Sequence, residues 1–164
     1  MRSHKVVVTA LMLAMLWTVL ASRAAPHAAS APEDCPTHGQ LPRNLWSATK
    51  TSLLPRGAAS IRACRYEAGG HALKLKGSDL VTRRSTIAWI TRKFDELPAA
   101  GGVTACPNDN GSIALAIASY RNGYSASVRI RLTACRSATN THLTSNGLNK
   151  AGFLLVHKLE ALTR

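Results

Sequence analysis

The chain has 164 residues, 46% apolar, 5% aromatic and 18% charged, a composition that suits one small globular domain better than two domains or a disordered chain. Lys and Arg number 21 against 8 Asp and Glu, a formal charge of +13, so an anionic standing partner is expected and a cationic one disfavoured.

Arg2, His4 and Lys5 precede an apolar run from Val6 to Leu20, and a small, alanine-rich stretch follows from Ala21 to Ala31. This is the layout of a secretory signal peptide, and Arg23 and His27 close the run short of the ~20 apolar residues that a spanning helix needs. Cleavage after Ala24 satisfies the small-residue rule, with later sites up to residue 31, which leaves residues 32–164 as one secreted domain. Removal of residues 1–24 leaves 18 Lys and Arg against 8 Asp and Glu, so the mature chain keeps a charge of +10.

Export makes an even cysteine count read as disulfides. Cys35 to Cys64 and Cys106 to Cys135 are each 29 residues apart. Each first cysteine opens a Cys-Pro turn and each second one sits in Ala-Cys-Arg. The matching surroundings predict the bridges Cys35–Cys64 and Cys106–Cys135, and two degenerate halves, 35–97 and 106–162. By loop entropy each bridge contributes roughly 3.5 kcal/mol.

A strand is expected at Thr49 to Leu54, then a pair at Ser60 to Tyr66 and Ala72 to Lys76 across the Gly69-Gly70 loop. Thr82 reads as an N-cap, and Ile87, Ile90, Phe94 and Leu97 recur at helical spacing before Pro98, predicting a helix over 83–97. Ile113, Leu115 and Ile117 alternate with alanines, and Val128, Ile130 and Leu132 alternate with Ser127, Arg129 and Arg131. Between them Asn122-Gly123 predicts a two-residue type I′ hairpin whose partners sum to 245, each strand carrying one apolar face. Leu148, Ala151, Leu155, Leu159 and Leu162 mark a closing helix, and Tyr66, Trp89, Phe94 and Phe153 are core candidates. The order ββαββα predicts an α+β fold: an antiparallel sheet of four to five strands with two helices packed on it and two disulfides.

Motifs for catalysis are missing. No Gly-x-Ser-x-Gly elbow, phosphate loop, dinucleotide fingerprint or His-Glu-x-x-His occurs, and a closed zinc site would need more than the Cys35-x-x-His38 pair. His38, His71, His142 and His157 read as surface or cap residues. Asp95 and Glu96 diverge by about 100° on a helix and cannot serve as a facing carboxylate pair. No enzyme activity, cofactor or metal is therefore expected. Charge is the one feature with a physical consequence: strand alternation puts Lys74 and Lys76 outward, Arg129 and Arg131 outward, and Arg83, Arg84, Arg92 and Lys93 on the first helix. If the strands share a sheet, Lys74, Lys76, Arg129 and Arg131 gather on one face that attracts anionic cell-wall or extracellular polymers. With seven aromatic residues after the signal, specific nucleic-acid recognition is not expected.

Through Leu54-Pro55-Arg56-Gly57-Ala58, Ala63-Cys64-Arg65-Tyr66, Leu97-Pro98, Cys106-Pro107 and Ala134-Cys135, residues 35–162 resemble a group of small secreted proteins of actinobacterial type. That resemblance implies export and fold and brings no catalytic residue. A looser resemblance is to subtilisin-inhibitor-like proteins, small exported α+β domains with two bridges, a long hairpin and an inhibitory loop after a late Cys-Pro. It implies a loop at Asn108 and Asp109 and a secreted protease as partner. The chain departs from that pattern in having no cysteine near Thr82 to pair with Cys64, and no bulky or basic side chain at Asn108. The expectation is a monomeric, secreted, non-enzymatic domain that binds an anionic polymer, with protease inhibition as the alternative.

Overall fold

The computed structural model describes residues 34–39, 50–69, 72–99, 109–146 and 149–164. Among them run β1 (Ser60–Gly69), β2 (Ala72–Val81), α1 (Arg84–Asp95), β3 (Ile113–Ser119), β4 (Ser125–Arg131), β5 (Ser137–Thr139), β6 (Thr144–Asn146) and α2 (Lys150–Leu162). The fold is α+β. The strands form one antiparallel six-stranded sheet in the order β2-β1-β3-β4-β5-β6. The proposed signal segment and cleavage sites lie outside the described residues, and no helix among the described residues is long and apolar enough to cross a membrane.

Burial explains the composition of β3. All seven of its residues are buried, so the Ile/Ala alternation marks two packed faces and not the single apolar face expected from sequence. Ala114, Ala116 and Ala118 join Ala63, Val128, Ile130 and Ala138 under Ile87, Ile90, Phe94, Leu155 and Leu159 of the helices. Small residues on the sheet give the helices' large ones room to approach. Ile113, Leu115 and Ile117 face the other way and pack with Cys64, Tyr66, Cys35 and Leu73. Phe153 does not belong to either cluster: it is 47% exposed, with the Arg136 guanidinium 4.5 Å above its ring.

The hairpin register corrects the sequence reading by one residue. Partners sum to 244, as in Ile113 opposite Arg131 and Ser119 opposite Ser125. Tyr120 N–H donates to Tyr124 C=O at 2.8 Å and Gly123 N–H to Tyr120 C=O at 3.0 Å, closing a three-residue loop with Gly123 at φ +84°. Only Gly123 adopts positive φ, so the turn is the longer type with a left-handed glycine, and Asn122 supplies a side-chain bond to Tyr124 N–H. A one-residue slip exchanges faces. Arg129 and Arg131 thereby stand beside Leu115 and Ile113, not beside the alanines.

Two further expectations change. Residues 50–54 form bends and not a strand, and Leu53 and Leu54 bury under the helices as anchors. The polar segment 136–146, between β4 and the closing helix, contributes β5 and β6, so the sheet has six strands in place of four or five. These strands are only three residues long, and a pair so short leaves no periodicity to read. Asn140, 1% exposed, closes their turn: its Oδ1 accepts from His142 and Leu143 N–H at 3.1 and 2.7 Å.

The helices differ in how they start. α1 begins after Arg83, which makes no side-chain cap bond, so Thr82 lies one residue too early to cap it; the helix gives out at Glu96, two residues before Pro98. α2 begins at Asn149, whose Oδ1 accepts from Gly152 N–H at 3.1 Å while its Nδ2 donates to Glu96 C=O at 2.9 Å. One side chain thus caps α2 and fastens it to the end of α1.

Cys35 and Cys64 are bonded, with Cα atoms 5.8 Å apart. The bridge sits in the second cluster, where Tyr66 Oη donates to Pro36 C=O at 2.6 Å and burial pushes the phenol up to about 12. Cys135 is also disulfide-bonded, whereas Cys106 lies outside the described residues. Cys64 is inside β1, and Cys135 follows β4 in the 132–136 loop.

Candidate anion-binding site

The four cations expected to share a face do not. Lys74 lies opposite Glu67, on the side of the sheet that carries Arg65 and Ala114. A bulge follows: Arg65 pairs with Gly77 but Tyr66 with Leu75, leaving Lys76 as the extra residue. It turns to Glu67, Nζ to Oε2 3.3 Å. Gly77 is required there because a Cβ would lie 1.9 Å from Thr163 O at the end of α2. Arg129 and Arg131 occupy the other side, with β1 and β3 between β2 and their own strand, and Arg131 lies 3.4 Å from Asp109. Half of this set is therefore neutralised locally, and the sheet separates the two pairs.

Exposed arginines line a single groove elsewhere. Arg84, Ala88 and Arg92 recur every four residues and line one stripe of α1. Opposite them runs the loop Arg56-Gly57-Ala58, and between the two lies a groove of about 360 Å³ floored by Ile87, Ala88 and Thr91. The loop is held from below. Tyr120 Oη donates to Pro55 C=O at 2.6 Å, Ala59 N–H donates to Ser119 C=O at 2.8 Å, and Gly57 takes φ +87°, which a side chain would strain. Burial raises the Tyr120 phenol far above its ordinary value, so it stays a neutral donor.

Charge in the groove is uneven. Arg56 brings Nε and a terminal nitrogen within 2.8 Å of Asp95 Oδ2, yet its side chain remains 75% exposed. Arg92 lies 3.8 Å from Glu96, which also takes Lys93, and Arg84 makes no ion pair among the described residues. Thr91 Oγ1 is spent on the carbonyls of Ile87 and Ala88 and offers a ligand no free donor. What remains is Arg84, without an ion pair among the described residues, beside Arg56 and Arg92, which stay exposed although a carboxylate offsets each, and forked donors of this kind fit oxyanions on a chain.

The expected inhibitory loop is described in part. Asn108 lies outside the described residues. Asp109 is tied to the hairpin base: its Oδ1 accepts from Gly111 N–H at 2.9 Å and Thr133 Oγ1 at 2.8 Å, and these bonds, with Arg131, hold its carboxyl below the ordinary range. Asn110 Oδ1 accepts from Ser112 N–H and shares the single Thr133 hydroxyl proton with Asp109.

No family model, no curated protein and no solved structure matches this chain.

Sequence reasoning named Arg84 and Arg92 only as decoration of a helix and gave Arg56 no role. Their four-residue rhythm was visible, but the partner across the groove is set by the packing of Leu53 and Leu54, which no local pattern announces.

Proposed function

We propose that this chain is an exported, monomeric, non-enzymatic domain that binds acidic extracellular or cell-surface polymers through the Arg56, Arg84 and Arg92 groove. Three exposed arginines lining one groove carry the reading. The net charge of +10 after signal removal supports it, since a surplus spread over the whole molecule draws a polyanion in before the groove engages it. Export agrees with the N-terminal layout and with the disulfide, which persists in oxidising compartments. The Cys106–Cys135 bridge expected from the sequence belongs to this reading, and the bonded state of Cys135 is compatible with it.

Retention on immobilised heparin tests this. Wild-type protein is expected to bind at low salt and elute as screening sets in, since the Debye length falls from about 10 Å at 0.1 M to about 3 Å at 1 M. Arg84→Glu with Arg92→Glu should move elution to markedly lower salt. Lys74→Glu with Lys76→Glu should move it less, because both lysines lie by Glu67 on the far side of β1. Equal effects of the two pairs would overturn the assignment of the groove.

Protease inhibition is the second reading. One observation favours it: Asp109 is fixed by Gly111, Thr133 and Arg131, which pre-organises the residue after Asn108. Stoichiometric loss of activity in a panel of secreted serine proteases, sensitive to substitution at Asn108, would establish it.

A further inference from the structure

Beside the arginine groove lies a larger cleft of about 790 Å³, and Arg56 lines both. Asp95 stands at the same boundary. The two contacts from Arg56 fall on its Oδ2, and Oδ1 carries neither. The cleft is walled by the 51–53 segment, by the end of α1 and by the turn into β6. Two of its walls are tied together by one buried side chain. Asn140 Nδ2 donates to Ser52 and Leu53 C=O at 3.0 and 3.1 Å, while its Oδ1 holds His142 and Leu143, so one side chain locks the first wall to the third. The end of α1, the second wall, is held instead to the start of α2, through Asn149 Nδ2 and Glu96 C=O.

One wall group is unexplained by the fold. Ser145 is 2% exposed, its Oγ has no hydrogen-bond partner, and it lines the cleft. A buried hydroxyl without a partner costs stability, so a cleft that supplies one on binding recovers that cost.

We infer that the cleft takes a hydroxylated sugar ring of the polymer whose acidic group lies in the arginine groove, which makes the ligand an acidic polysaccharide. This rests on the groove reading above. The lining suits a ring that is apolar on its C–H face and polar on its edge. Leu97 and Leu143 offer apolar surface, His142 and the Asp95 carboxylate offer polar partners to hydroxyl groups, and Ser145 stands buried in the wall with its Oγ unpaired. A bare phosphate chain fits worse, because it would bring negative charge against Asp95 and leave the apolar walls uncovered. Nucleic acid fits worse as well: the one aromatic residue in the lining, Phe94, is 2% exposed and presents no face for a base to stack on.

The experiment is calorimetric titration of the disulfide-intact secreted chain at low salt with two probes of comparable charge, a heparin-derived octasaccharide and an inorganic polyphosphate. The octasaccharide is expected to bind at least about tenfold tighter. Ser145→Ala and His142→Ala should each weaken it by about three- to tenfold and leave polyphosphate binding unchanged. His142 is exposed, so its variant keeps the test valid if Ser145→Ala disturbs the wall. Equal affinity for both probes, or octasaccharide binding indifferent to both variants, would overturn the cleft and leave the groove standing. If neither probe binds wild-type protein, the groove reading falls and takes this one with it.

Discussion

Arg56 and Asp95, 39 residues apart in sequence, meet through two 2.8 Å contacts to a single carboxylate oxygen, and the pair stands on the boundary between the arginine groove and the cleft. The contact positions Arg56 but also offsets its charge. Asp95→Asn should therefore tighten binding to a sulfated polymer and raise the salt needed for elution. The pair is exposed on the Arg56 side, so its loss should cost no more than about 1 kcal/mol of stability. Elution on heparin beside a urea melt checks both; weaker retention would show that positioning outweighs charge.

Asn140 carries four side-chain bonds that join the 52–53 segment to the β6 turn, and it is 1% exposed. Asn140→Ala would leave two carbonyls and two N–H groups without these partners. We expect a loss of about 2–4 kcal/mol, read as a lower urea midpoint with unchanged m-value. A loss under about 1 kcal/mol would mean that water replaces the clamp.

The Cys35–Cys64 bridge closes a separation of 29 residues. Replacing both cysteines with serine should cost roughly 3.5 kcal/mol by loop entropy, with a further penalty because Cys64 is fully buried and a hydroxyl there needs a partner. Thermal denaturation of the double variant against wild-type protein measures it.

Asp109 gives the fold a dependence on acid. Its carboxyl is held below the ordinary value first by Gly111 N–H, then by Thr133 and by the charge of Arg131. The folded state therefore favours the ionised form, and the stabilisation is complete above the unfolded value near 3.9 and disappears as pH falls through the lower folded value. Wild-type protein should exceed Asp109→Asn in melting temperature at pH 6, with the difference shrinking below about pH 4. A difference constant from pH 6 to pH 2 would assign the effect to geometry alone.

Much of the architecture was legible because it rests on local chemistry. Alternation in 113–118, the stripe through Ile87, Ile90 and Phe94, and the closing leucines gave the hairpin and both helices. What sequence could not yield depended on contacts far along the chain. Asn122-Gly123 suits a two-residue turn equally well, and the choice of a three-residue loop moved the arginines of β4 to the opposite face from Lys74. Asn140 looked like one polar residue among many until Ser52 and Leu53 were brought beside it. The groove has the same origin, since Arg56 meets the α1 stripe only through tertiary packing.

Under the proposed function, Arg84 and Arg92 hold a polyanion by direct contact. The slope of log Kd against log salt concentration for heparin, measured for wild-type protein and for Arg84→Glu with Arg92→Glu, tests it most directly. Each direct ionic contact adds about one unit to that slope, so the double variant should show a slope shallower by about two together with weaker binding. Weaker binding at an unchanged slope would contradict the claim, leaving the two arginines as contributors to net charge and not to contact.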